Sequence, residues 1–285
     1  MKTNKYKVLI VGLGLIGGSY AYKLKEVGYE VGAITLNQDD IDYALSNNII
    51  DHGNVNVSKE YVSQFDLVVF ALYPNIFIDW IKKYYNYFKK GAILTDVTGV
   101  KKDIVYTVQE ILKDQEVEFI GAHPMAGKEV YGVKNASKDL FSKANYIITP
   151  TIKNSQDVID ASTKIAYELG FKNVSVLSPE EHDEMIAFLS QLTHCIAVSL
   201  MTCKESTHLK EYTGDSFRDL TRIAKINENM WSELFMLNKE ELLSQMELFE
   251  NKFSQLKNAL KNDDVETMKD MMRLSTFRRS FFDKD

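Results

Sequence analysis

Three groups of residues in this chain have types and spacings that could do chemistry. The first, Gly12-Leu-Gly14-Leu15-Ile16-Gly17, follows one apolar run and opens an amphipathic one. Such a loop suits a dinucleotide. Gly12 permits a tight turn, Gly14 lets backbone approach a pyrophosphate, and Gly17 lets helix and strand pack closely, with the helix N-terminus facing the anion. The second is His123 in Gly121-Ala-His123-Pro-Met-Ala-Gly127-Lys-Glu129, at the end of a strand-like run, where ligands of open α/β sheets bind. Imidazole is the side chain best suited to take a proton near neutral pH. The third is Phe217-Arg218-Asp219-Leu-Thr-Arg222, with Trp231 nine residues later. It combines a permanent cation able to grip a carboxylate, an acid one helical turn before it, and a large aromatic.

The elements that must position these groups are legible from periodicity. Tyr6–Gly12, Glu30–Ile34, Asp66–Leu72, Ala92–Thr95, Glu118–Gly121, Tyr146–Thr149 and Val174–Leu177 read as strands, with a helix predicted over about Leu15–Val27. Near-continuous apolar strands between amphipathic stretches indicate a sheet covered on both faces. From Ser178 the period becomes helical: Ser178-Pro-Glu-Glu181 is a capping box opening a helix to about Cys203. Further helices are expected over about Ser216–Ile226, Glu228–Leu260, broken near Asn238, and Asp263–Phe282. The expected fold is α/β, a Rossmann-type, doubly wound, mostly parallel sheet followed by an all-helical domain. Residues 1–178 would form the dinucleotide-binding domain and residues 179–285 a helical substrate-binding and dimerisation domain.

Composition agrees with a globular chain and excludes several classes. The 285 residues carry 34 Lys+Arg against 40 Asp+Glu, a net charge of −6, with 45% apolar residues. Thirteen of the 14 glycines and all four prolines fall at or before Pro179. No Lys/Arg stripe suggests nucleic acid as a partner. No membrane span or signal peptide is expected, and a cytoplasmic location follows. The two cysteines, Cys195 and Cys203, are read as reduced thiols in or near the core, and no metal site is expected. At the end of the second strand Thr35 stands where NAD-specific chains carry an acid. Its hydroxyl could bond a ribose hydroxyl or a 2′-phosphate, but Asp39 and Asp40 would repel a phosphate, so NAD or NADP is expected, with NAD slightly preferred. Leu72 joins Gly12, Gly14, Leu15, Ile16, Gly17 and Thr35 as a candidate cofactor-binding residue.

The ordered set of Gly12–Ser19, Asp96–Lys101, His123–Glu129 with Tyr131-Gly132, Leu140-Phe141, Thr149-Pro150, Leu192-Thr-His194 and Phe217–Trp231 resembles the prephenate and arogenate dehydrogenase family of tyrosine biosynthesis. The resemblance implies oxidative decarboxylation of a six-membered ring. His123 would accept the proton of the ring 4-hydroxyl while hydride leaves the same carbon, and the C1 carboxylate would depart as CO2. It also implies that Arg222 holds a substrate carboxylate, that Asp219 and Glu129 join its ionic network, that His194 contacts the substrate side chain, and that Trp231 closes the wall. A homodimer through the helical half is implied too. Because the chain ends at Asp285, the tyrosine-sensing module of many relatives is not expected here.

Two positions depart from the family pattern. The family's Asp-x-x-Ser-Val-Lys reads Asp96-Val-Thr98-Gly99-Val-Lys101, so Gly99 lacks a hydroxyl for the imidazole and Thr98 is the expected substitute. Gln191 stands where a histidine is common. Arogenate in place of prephenate, a β-hydroxyacid dehydrogenase and a catalytically weak nucleotide-sensing relative are the alternatives. The β-hydroxyacid reading needs an early lysine in the helical half, which is absent until Lys204.

Overall fold

A computed structural model of the protein describes residues 6–128, 130–205 and 208–282. Strands β1 (Lys7–Val11), β2 (Glu30–Ile34), β3 (His52–Asn54), β4 (Leu67–Phe70), β5 (Ile93–Asp96), β6 (Glu118–Pro124), β7 (Asn145–Thr149) and β8 (Asn173–Val176) form one sheet in the order 3-2-1-4-5-6-7-8. Every pairing is parallel except that of β6 with β7. Successive side chains of a strand face opposite sides, and β1 is apolar on both. Val8 and Ile10 enter one core with Tyr20, Leu24 and Ile148, while Leu9 and Val11 enter a second with Phe70, Phe77 and Ile104. The helices covering these cores are α1 (Leu15–Glu26), α2 (Gln38–Ser46), α3 (Lys59–Val62), α4 (Pro74–Tyr84), α5 (Lys102–Ile111) and α6 (Gln156–Glu168). The order in which strands are added reverses between β1 and β4, which run parallel, and this opens a crevice at their carboxyl ends.

Two strands differ from the sequence expectation. His52-Gly53-Asn54 has no strand-like composition, and it is held extended by pairing with β2. The β6 strand runs three residues past Gly121, because antiparallel pairing with β7 sets His123 opposite Ile147. His123 is therefore on the strand itself.

The second half contains α7 (Pro179–Ile186), α8 (Thr193–Thr202), α9 (Leu209–Tyr212), α10 (Asp215–Thr221), α11 (Glu228–Leu237), α12 (Lys239–Lys261) and α13 (Val265–Arg279). The capping box at Ser178 forms with both hydrogen bonds in place. A π turn, Ala187–Leu192, joins α7 to α8, making one continuous helix over Pro179–Thr202. That helix is long and apolar enough to cross a membrane, which corrects the expectation that no segment approaches a span. Its inner side carries the buried polar residues His182, Asp183 and Gln191, and it packs on α5 and α12. Its other side exposes Met185, Phe188 and Leu189. Cys203, expected in or near the core, is exposed, and both cysteines are free.

The helical break at Asn238 has a specific cause. The Asn238 side chain is buried and donates to Asp183 O and to Gln191 Oε1, each at 2.9 Å, while Gln191 donates to Leu234 O at 3.0 Å. Gln191 is thus committed to packing the helices together. The 216–226 helix ends earlier than its periodicity suggests, with α10 stopping at Thr221 and Arg222–Ala224 forming a 3₁₀ turn.

Candidate active site

The loop from β1 to α1 is shaped by its glycines. Gly12 has φ +101°, and a Cβ there would come within 2.4 Å of Ala71 O and 2.9 Å of Leu72 Cδ2. A Cβ on Gly17 would stand 2.0 Å from Gly12 O. Both positions therefore demand glycine for reasons internal to the fold. Gly14 does not: a Cβ there meets nothing within 4 Å, although it caps the N-terminus of α1. A bare backbone at that helix end, in front of unsatisfied N–H groups and free of acidic side chains in the first turn, fits a dinucleotide pyrophosphate. Leu72 lines this loop, and Leu15 is buried beneath it with Ile16 partly so. Thr35 is partly exposed at the end of β2, and the Asn37 side chain that follows accepts from the N–H of Asp39.

Two strands along the sheet from β1, β5 ends in a buried ionic cluster. Lys101 Nζ lies 2.5 Å from Asp96 Oδ2, with both side chains fully buried. The other carboxylate oxygen accepts from the N–H of Ala122 at 3.1 Å, which ties β5 to the residue preceding His123. Burial pushes the Lys101 ammonium below the ordinary lysine range, in spite of Asp96. Thr98 belongs to this cluster: its hydroxyl bonds Asp96, accepts from Lys101 at 2.9 Å and lies 2.9 Å from Val100 O. The expectation that Thr98 supplies the hydroxyl beside the imidazole is therefore corrected, since its oxygen is occupied on the core side. Gly99 faces the imidazole instead. A Cβ there would lie 3.9 Å from His123 Cε1 and 3.6 Å from both methyls of Leu234 on α11.

His123 Nδ1 lies 2.9 Å from Nε2 of His182, and His182 Nδ1 lies 2.7 Å from Asp183 Oδ1. Burial, then the neighbouring His182 and the Lys101 ammonium, push the His123 imidazole well below its ordinary range, so it is neutral at pH 7. Burial also lowers His182, against the pull of Asp183. Neither His182 nor Asp183 was identified from sequence as part of the site. Their adjacency, four and five residues after the capping serine, was the available signal.

The helical half adds its residues through α8 and α11. His194 stacks on Trp231 with ring centroids 3.7 Å apart and planes at 30°, and its Nδ1 donates to Ser190 O at 2.8 Å. Trp231 also packs with Leu234 against the core on the α5 side of the sheet. Arg222 starts the 3₁₀ turn that packs on α8, and Asp219 lies three residues earlier, in the last turn of α10. Glu233 accepts from the N–H of Asn75 at 2.6 Å, so α11 touches the N-terminus of α4. Contacts thus run from His123 past Gly99 and Leu234 to Trp231, His194 and the helix under Arg222. Glu129 lies outside the described residues. No cluster of three or more metal-ligating side chains occurs among the described residues.

Comparison with known proteins agrees with this geometry. The family described as prephenate dehydrogenase, nucleotide-binding domain, matches residues 20–183, and that described as prephenate dehydrogenase, dimerization domain, matches residues 178–274. The crystal structure of prephenate dehydrogenase from A. aeolicus in complex with hydroxyphenyl propionate and NAD+ superposes with a TM-score of 0.89 at 30% identity, covering 99% of this chain and 100% of that one. Prephenate dehydrogenase of Lactococcus lactis subsp. cremoris is 28% identical over 88% of this chain and 70% of its own length. Cyclohexadienyl dehydrogenase of Zymomonas mobilis is 27% identical over 90% of this chain and 89% of its own. With the dinucleotide loop, the neutral histidine and both domain matches on one chain, the protein belongs to the prephenate dehydrogenase family of NAD-dependent, oxidatively decarboxylating enzymes.

Proposed function

We propose that this chain oxidises prephenate to 4-hydroxyphenylpyruvate and CO2, a step of tyrosine biosynthesis. The observation that carries this reading is His123, a neutral imidazole at the carboxyl end of β6 in the sheet that also carries the dinucleotide loop, with one ring nitrogen engaged by His182. The ring 4-hydroxyl gives its proton to Nε2 of His123 as hydride leaves the same carbon. The bond from C1 to the carboxylate then breaks, CO2 departs, and the electron pair completes the aromatic ring. NAD supplies the hydride acceptor when bound. Arg222 holds a substrate carboxylate, oriented by Asp219, and the stacked pair of His194 and Trp231 forms a wall of the pocket. The acids Asp39 and Asp40 at the first turn of α2 disfavour a 2′-phosphate, which favours NAD over NADP.

The helical half supports a homodimer. Phe253, Leu260, Phe277 and Phe281 on α12, α13 and the turn after them are exposed on a single chain, more apolar surface than a lone subunit keeps in water. Light scattering should give about twice the chain mass of 32.6 kDa. The protein is expected to work in the cytoplasm.

The decisive experiment is steady-state kinetics with prephenate and arogenate, each against NAD and NADP. Prephenate with NAD should give the highest kcat/KM. Faster turnover of arogenate would reassign the substrate, and no reduced nicotinamide with any pair would overturn the reading.

A further inference from the structure

We propose that His182 and Asp183 are positioning residues that decide which nitrogen of His123 carries its proton. The proposal rests on His123 as the base and assigns the means by which it is kept in the productive form. Asp183 anchors the chain of bonds: its two oxygens accept from the backbone N–H of Lys101 at 2.7 Å and of Lys102 at 2.8 Å, where α5 begins. The same carboxylate faces Nδ1 of His182 at 2.7 Å. A carboxylate already receiving two N–H groups offers only acceptor capacity, so His182 Nδ1 holds the hydrogen. In a neutral ring the other nitrogen is then an acceptor, and Nε2 of His182 faces Nδ1 of His123 at 2.9 Å. His123 must donate from Nδ1, which leaves its lone pair on Nε2. Each link determines the next.

The surroundings keep this chain of bonds in one register. His182 is fully buried, so water does not replace it as the acceptor. The backbone of Asp183 receives Asn238, which also holds Gln191, which in turn bonds α11 beside Gly99. The charged groups around the two rings are Asp183 on α7 and the Asp96–Lys101 pair at the end of β5. The Lys101 ammonium opposes a second proton on either ring. Without the acceptor, a neutral imidazole divides between its two tautomers, and the one protonated on Nε2 cannot accept the substrate proton.

The test uses His182→Phe, which keeps an aromatic ring and removes the acceptor, and His182→Gln, whose Oε1 can stand near the position of Nε2. For His182→Phe, kcat should fall roughly 10- to 100-fold while the KM for prephenate stays within about twofold. His182→Gln should recover most of the loss, which a purely structural role for the histidine would not produce. Two-bond ¹H–¹⁵N spectra of the histidine-labelled full chain read the tautomer without substrate. Wild-type His123, assigned by its absence in His123→Asn, should show a protonated Nδ1 and a bare Nε2. A protonated Nε2 in the wild type, or unchanged kcat in folded His182→Phe, would overturn the proposal. Should His182→Phe fail to fold, the wild-type spectrum and the Gln variant still decide. A protein inactive on prephenate but showing the expected tautomer would refute the substrate and leave the positioning role standing.

Discussion

Gly99 presents its α-carbon to the edge of the His123 imidazole, where a Cβ would sit 3.9 Å from Cε1 in ordinary van der Waals contact. Its φ is not in the left-handed region, so neither backbone strain nor crowding requires glycine there. The hydroxyl that the family pattern places at this position can therefore be restored without repacking.

Gly99→Ser should fold with unchanged stability and raise kcat by about two- to tenfold, the worth of one added hydrogen bond of about 0.5–1.5 kcal/mol. Steady-state rates with thermal unfolding as control check this. A fall in kcat would mean that the glycine makes room for substrate.

Removing the base and removing the carboxylate grip should give opposite kinetic signatures. His123→Asn should lower kcat by at least about 100-fold with dinucleotide affinity unchanged. Arg222→Ala should instead raise the KM for prephenate by roughly 10- to 100-fold, the loss expected for a charged hydrogen bond. Fluorescence titration of the dinucleotide and initial rates separate the two, and an unchanged KM would place Arg222 outside the carboxylate site.

Stability should fall on the acid side of neutrality. His123 and His182 are both held below the ordinary histidine value of 6.5 in the fold. Unfolding at a pH below about 6.5 therefore takes up protons that the native state does not bind, and stability drops as pH falls through that value. Above about pH 7 both states are neutral and these two groups contribute no slope. Denaturation midpoints between pH 5 and 8 should show this, with a shallower dependence in His123→Asn. Glu26, Glu30, Asp51 and Asp66 are lowered by their lysine and backbone partners and act at more acidic pH, outside this window. A flat profile from pH 8 to 5 would contradict the neutral pair.

Asp96→Ala should be among the most damaging core substitutions. It leaves the Lys101 ammonium fully buried beside the Thr98 hydroxyl alone, a loss of about 3–5 kcal/mol for breaking a buried pair. Lys101→Met should cost less, because Asp96 keeps the N–H of Thr98, the Thr98 hydroxyl and the N–H of Ala122. Urea denaturation of both variants tests the order.

Much of the scaffold was readable because it depends on local pattern. The strands β1, β2, β4, β5, β7 and β8 announce themselves by apolar runs, Ser178–Glu181 by a capping box that satisfies its own helix end, and Gly12 and Gly17 by their spacing in a loop between a strand and a helix. What escaped was whatever depends on a partner distant in sequence. β3 is a strand only through β2, and although the helix break near Asn238 was legible, the partners of its amide, Asp183 and Gln191, lie 55 and 47 residues away and were not.

The same division runs through the site. By itself the amino-acid sequence determined that a dinucleotide loop, a candidate base at His123 and a cationic helical segment around Arg222 occur in this chain, because residue type and spacing suffice to specify those capacities. Only the tertiary structure decided how the base is set. Thr98 turned inward to Asp96 and Lys101, Gly99 took the edge of the imidazole, and His182 with Asp183 came up behind it from 59 and 60 residues away. The physical reason is that a tautomer is selected by the hydrogen-bond partner the ring meets in space, and no periodicity along the chain encodes which distant acceptor that will be.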